Sequence, residues 1–266
     1  SQLGRVADAA GGAWFTETLA DDLAKVAWAE FRKIEREGGF AASLMAGAFQ
    51  ARVAAVREGR AKDIARRRIA ITGVSEYPLL EEIGAPVADV EPPKPRSGFS
   101  AAGIRYFAKT EIAGGADASA PALAPVRLAA PFEALRDAAA KERRPPAVFL
   151  ATLGSLGEFT ARADFARNFF AAGGIVAKEP PVPPKTVAEL AAAFRASGAH
   201  IAVLCSTDKM YEAEAAGAAE ALKKAGAQRV WLAGKHDGAG IDTNIFAGAD
   251  VIHLLKLAHA ELGVAQ

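Results

Sequence analysis

Residues 147–266 predict an α/β domain built on a five-stranded parallel sheet, and three observations carry that expectation. Ala147-Val148-Phe149-Leu150, His200-Ile201-Ala202-Val203-Leu204 and Arg229-Val230-Trp231-Leu232 are nearly continuous apolar runs, the pattern of strands covered on both faces. Turn-forming residues follow each run, and helix-length stretches separate them, so strand and helix alternate. Taken in order, the pattern reads as strand 147–152, helix 158–172, a short strand 174–176, helix 186–198, strand 200–205, helix 209–225, strand 228–233, strand 250–252 and helix 253–262.

Local chemistry supports the helix starts. Glu158 falls in a first turn, where the positive end of the helix dipole favours an acid. Thr207 or Asp208 can cap the helix that begins near Lys209. The resulting topology is flavodoxin-like, and ligands of such sheets gather at the carboxyl ends of the strands. The loops after Thr152, Cys205 and Ala233 are therefore the ones to examine.

Upstream, residues 1–85 contain Leu19, Leu23, Val26, Ala27, Phe31 and Ile34 at the spacing of one buried helical face. Thr18 is the expected N-cap, and Gly38-Gly39 the expected stop. A second helix is expected from about Phe40 to Arg57, and Ile69-Ala70-Ile71-Thr72-Gly73-Val74 reads as a short buried strand. Residues 86–146 form the expected linker: Glu91-Pro92-Pro93-Lys94-Pro95 and Gly114-Gly115-Ala116-Asp117-Ala118-Ser119-Ala120-Pro121 are poor in core residues and rich in breakers. One helix, 131–143, is expected just ahead of the α/β domain.

Composition narrows the function classes. An apolar fraction of 51% with 24% charged residues suits a soluble globular chain of 266 residues. A net charge of +1 supplies no global field toward nucleic acid or an anionic membrane, and no apolar run reaches the length of a membrane span. The single Cys205 excludes an internal disulfide framework and fits a reducing compartment, so the cytoplasm is the expected location. Ser1-Gln2-Leu3-Gly4-Arg5 has no signal-peptide or transit-peptide pattern, and the missing initiator Met fits a chain that begins inside a longer one. His200, His253 and His259 show no metal-ligand spacing, and Cys205 has no activating base nearby, so no metal site and no catalytic residue are expected.

Three stretches carry a family resemblance. Arg5-Val6-Ala7-Asp8-Ala9-Ala10-Gly11-Gly12-Ala13-Trp14-Phe15 resembles R-V-A-D-P-A-G-G-S-Y-Y of the methylmalonyl-CoA mutases, where the chain leaves the substrate-binding TIM-type barrel. Ile71-Thr72-Gly73-Val74-Ser75-Glu76-Tyr77 is similar to the family's V-V-G-V-N-K-Y. Pro125-Val126-Arg127-Leu128-Ala129-Ala130-Pro131-Phe132-Glu133-Ala134-Leu135-Arg136 resembles the approach to the cobalamin-binding domain. The whole chain looks like the C-terminal part of the small (beta) subunit. On that resemblance, residues 1–85 are the end of the barrel domain, 86–146 the linker and 147–266 a cobalamin-binding-like domain.

The resemblance implies adenosylcobalamin-dependent interconversion of methylmalonyl-CoA and succinyl-CoA, started by cobalt–carbon homolysis. It implies a heterodimer in which the catalytic large subunit holds the cofactor and the acyl-CoA. It also places Gly154-Ser155-Leu156-Gly157-Glu158-Phe159-Thr160-Ala161 where the family carries D-x-H-x-x-G. Leu156 then holds the Asp position, Glu158 that of the cobalt-binding His and Ala161 that of the closing Gly. A leucine cannot orient a ligand, and a carboxylate does not replace imidazole on cobalt.

The residues beside the nucleotide tail would be Ser206, Thr207 and Gly234, with Lys235 where the family has a second Gly. Each also has an ordinary reading, as helix caps for the hydroxyls and as an exposed turn for Gly234–Gly240. The expectation is a structural subunit that binds no cofactor itself. The alternatives are a cobalamin- or nucleotide-binding flavodoxin-like module, and a fragment whose first part exposes apolar faces for want of the rest of a barrel.

Overall fold

A computed structural model describes residues 2–82, 123 and 126–265. These fall into two compact units, one of residues 2–57 with 123, the other of residues 58–82 with 126–265. The stretches 91–95 and 114–121, read above as linker, lie outside the described residues.

In the first unit, a 3₁₀ turn (Gln2–Arg5) precedes α1 (Trp14–Arg36), and α2 (Phe40–Met45) follows. Helix α1 starts four residues before the expected Thr18 cap. The turn Asp8–Ala13 sets that start: the Ala13 N–H donates to the Ala10 carbonyl, and the Gly12 N–H donates to the Glu17 carboxylate. The expected helix 40–57 is broken at Gly47, whose φ of 76° ends α2 before α3 (Ala48–Ala65) begins. The expected buried face of α1 is not buried: Leu23 and Val26 are 61% and 63% exposed, and Trp14, Phe15, Trp28 and Phe31 are exposed with them. Periodicity reports a helix with an apolar stripe, and it leaves open what covers that stripe.

The second unit is built on the sheet. Its elements are α4 (Ala130–Ala140), β1 (Ala147–Thr152), α5 (Leu156–Ala171), β2 (Val176–Lys178), α6 (Val187–Ser197), β3 (Ile201–Cys205), α7 (Asp208–Lys224), β4 (Arg229–Ala233), β5 (Thr243–Ile245) and α8 (Val251–Leu262). All strands are parallel, in the order β2-β1-β3-β4-β5. This is the flavodoxin-like sheet expected from the apolar runs. Two strands moved. The expected strand 174–176 is β2, displaced because Gly173 and Gly174 form the turn out of α5. The expected strand 250–252 is the start of α8, where the Asp250 side chain accepts the His253 N–H; the fifth strand is the short β5. A three-residue strand beside the polar run 235–242 carries too little periodicity to be seen in advance.

Strand alternation sorts the core into two layers. Val148, Leu150, Ile201, Val203 and Trp231 face α4, α5 and α8, where Phe132, Leu135, Phe169, Phe170 and Leu255 meet them. Phe149, Ala202, Leu204, Val230 and Leu232 face α6 and α7, against Leu190, Phe194, Tyr211, Ala215, Ala218 and Leu222. The glycine pair brings two helices close. A Cβ at Gly174 would lie 2.8 Å from the Ala139 Cβ of α4, and one at Gly173 would lie 2.9 Å from Leu255 of α8. The fully buried His259 of α8 places Nε2 2.8 Å from the Gly173 carbonyl.

The expected strand 69–74 is instead a tight loop. Gly73 has φ 76°, the Ser75 hydroxyl accepts the Ile71 N–H, and only a single bridge joins Thr72 to Glu76. This loop docks on α5. Arg67, its side chain 9% exposed, stacks over Phe169 with its guanidinium carbon 5.5 Å from the ring centroid, and lies 3.6 Å from Glu76. Asn168 donates to Glu76 and accepts the Tyr77 N–H at 2.7 Å. Burial lowers the Arg67 pKa, against the pull of Glu76. Asn168→Ala is expected to lower stability by about 1–2 kcal/mol and to speed amide exchange at Tyr77. Unchanged exchange there would mean that the loop is held elsewhere.

Candidate functional site

The carboxyl ends of the strands are capped by four loops, after β1, β2, β3 and β4. Gly154 opens the first with φ 82°, and Ser155 leads into α5. The Ser155 N–H and hydroxyl both donate to one Glu158 carboxylate oxygen, at 2.7 and 2.8 Å. The carboxylate folds over Gly154 so closely that a Cβ there would lie 2.5 Å from it. Glu158 is thus a capping-box acid. Leu156, at the first position of α5, is 67% exposed, and Ala161 is exposed on the next turn.

The backbone and side-chain hydrogen bonds from Ser155 hold the Glu158 carboxyl below its ordinary value of 4.5. Because the folded value is the lower one, the group stabilises the fold above about pH 4.5, and that contribution is lost as pH falls through the folded value. Glu158→Gln is expected to lower the denaturation midpoint at neutral pH, with the gap to wild type closing toward pH 3. A gap that stays constant across that range would contradict the assigned role.

Beneath the β3 loop the chemistry is internal. Ser206 is fully buried; its hydroxyl donates to the Leu153 carbonyl at 2.8 Å, and its N–H donates to the Tyr211 hydroxyl at 2.7 Å. That hydroxyl lies 2.9 Å from the Ala233 carbonyl and 3.2 Å from the Leu204 carbonyl. Burial pushes the Tyr211 phenol and the Cys205 thiol up, so both are neutral. Thr207 caps α7 by accepting the Met210 N–H. Asp208 pairs with Arg162 at 3.0 Å, and a second nitrogen of Arg162 donates to the Ala233 carbonyl at 3.1 Å.

Gly234 lies directly below this arrangement. A Cβ added there would stand 2.8 Å from the Arg162 Nη1 and 3.2 Å from the Tyr211 ring. Its N–H donates to the Ile245 carbonyl, Lys235 lies over the Phe246 ring at 4.4 Å, and His236 packs against Gly238. The structure therefore brings Ser206 and Gly234 to one neighbourhood, joined by Tyr211 and Arg162, while Leu156, Glu158 and Ala161 lie in the first two turns of α5 and make none of these contacts. Neither Tyr211 nor Arg162 was marked by the sequence reading. The available signal was a tyrosine in the first turn of a helix beginning at a strand end, where it can reach back to the strand carbonyls.

A recess of about 310 Å³ opens beside the β1 end, lined by Leu153, Gly154, Thr186, Leu190 and Glu214 among others. A larger one, of about 920 Å³, lies at the amino ends of β1 and β2, and the charged residues in its lining are mostly acids, among them Glu81, Glu82, Glu133 and Asp137. No group of three or more metal-ligating side chains occurs among the described residues, and none of their helices is long and apolar enough to cross a membrane.

The family model described as methylmalonyl-CoA mutase matches residues 1–118. The methylmalonyl-CoA mutase small subunit of Streptomyces virginiae is 43% identical over 100% of the chain. The chain belongs to the methylmalonyl-CoA mutase family. The small subunit from Propionibacterium freudenreichii subsp. shermanii is 35% identical over 99% of the chain, and the probable small subunit of Mycobacterium bovis is 39% identical over 90%. The chain spans 39%, 39% and 34% of the lengths of these three mutase relatives, respectively. The model match stops before the sheet, so the likeness of the α/β part to mutase small subunits rests on these longer alignments.

Proposed function

We propose that the chain is part of the small subunit of an adenosylcobalamin-dependent methylmalonyl-CoA mutase and acts there as a structural, non-catalytic element. Its partner is the catalytic large subunit, which holds the cofactor and the acyl-CoA. The cofactor supplies the radical chemistry of the rearrangement in that partner. The residues of this chain do not fit it. The observation that carries the reading is the capping box: at the position of the cobalt-binding His, the Glu158 carboxylate is spent on Ser155 and lies against Gly154.

What remains for the chain to do is to present surface. The exposed Trp14, Phe15, Leu23, Val26 and Trp28 of α1 form an apolar face of the kind that other protein covers. His200, His253, His259 and Cys205 are assigned no chemistry, and the cytoplasm is the proposed location.

The test mixes this chain with a mutase large subunit and follows complex formation by calorimetry, and cobalamin uptake by visible absorbance. The expected result is a stable complex, and no cobalamin bound by this chain alone. Cobalamin bound by the chain alone would replace this reading with that of a corrinoid-binding module, and failure to pair would remove the proposed partner.

A further inference from the structure

We infer that Arg162 and Tyr211 close this sheet's carboxyl end to a corrinoid's nucleotide tail, independently of the substituted motif positions Leu156, Glu158 and Ala161. The inference rests on the proposed structural role and adds which side chains enforce it. A glycine at the end of a central parallel strand lets a ligand approach the backbone closely. At Gly234 that space is taken by the chain itself, since a Cβ would meet the Arg162 guanidinium at 2.8 Å and the Tyr211 ring at 3.2 Å.

The polar groups that a ligand would address there are also occupied. The Ala233 carbonyl receives both Arg162 and Tyr211, at 3.1 and 2.9 Å. The Ser206 N–H is held by the Tyr211 hydroxyl, the Ser206 hydroxyl by the Leu153 carbonyl, and the Gly234 N–H by the Ile245 carbonyl. Asp208 fixes the far end of Arg162, so the guanidinium is held from two sides. A ligand entering this space must displace a buried ring and strand several buried partners at once, which is costly because each lost bond leaves a desolvated group. The motif positions lie in the first two turns of α5, where the Glu158 carboxylate is bonded to Ser155, whereas the groups that fill the space over Gly234 are Arg162 and Tyr211.

The test uses the full chain in three forms and measures binding of hydroxocobalamin by visible absorbance and equilibrium dialysis, with a thermal melt as the folding control. The first form is wild type. The second carries Leu156→Asp, Glu158→His and Ala161→Gly. The third adds Arg162→Ala and Tyr211→Leu. The expected result is no binding by the first two and at least tenfold tighter binding by the third. Binding by the motif-restored form alone would overturn the inference while leaving the proposed function intact, and so would a cooperatively folded third form that does not bind. Binding by wild type would overturn the proposed function itself. If the third form melts without cooperativity, Arg162→Ala alone on the motif-restored background replaces it and is read in the same way.

Discussion

Trp231→Ala is expected to lower the stability of the α/β unit by about 3–5 kcal/mol, the range for deleting a large aromatic from a packed interior. Trp231 sits on β4 with no exposed surface, its ring 5.7 Å from that of Phe170, which in turn meets Phe169 at 5.3 Å. Removing the indole leaves a cavity among these rings, and the strands on either side limit how far they can collapse into it. It also deletes the indole N–H bond to Glu261, although Arg229 still holds that carboxylate at 3.0 Å. Denaturant unfolding is the measurement, with the midpoint falling and the slope unchanged. A loss of less than about 1 kcal/mol would mean that the site relaxes far more than a sheet core does.

The second large effect is expected at Gly174→Ala, which should cost about 2–4 kcal/mol by two separate routes. Gly174 has φ 75°, a conformation that a side chain disfavours. Its added Cβ would also lie 2.8 Å from the Ala139 Cβ and 3.2 Å from the Arg136 Cα, so helix α4 must shift to admit it. Gly198 gives the control: it has φ 65°, but a Cβ there meets nothing within 4 Å. Gly198→Ala should therefore show the conformational cost without the steric one. Equal losses at the two positions would show that α4 yields freely and that its packing contributes little.

The sheet was legible because its strands are apolar on both faces. Ala147–Thr152, Ile201–Cys205 and Arg229–Ala233 are nearly continuous runs, and Thr207, one of the two expected caps, starts the helix between the last two. The loop at 69–74 misled because Ile69, Ile71 and Val74 look like a strand, whereas Gly73 and the Ser75 hydroxyl bend them into a turn that docks on α5. The α1 stripe was legible as a stripe, and its exposure was not, because a helix pattern names the apolar face without naming its cover.

The candidate site divides in the same way. The family resemblance marked Leu156, Glu158 and Ala161; from the residues alone came the alternation that makes a parallel α/β sheet and the loops at its carboxyl ends. Each of these is a matter of residue type at a local spacing, which a linear chain displays directly. Tertiary structure decided that the Tyr211 hydroxyl ties Ser206 to Ala233, and that Arg162 reaches from α5 over Gly234 to the same carbonyl. Residues 162 and 234 meet only when α5 is laid across the sheet, and the hydrogen bonds that fill that space depend on strand order and helix placement, which no local pattern contains.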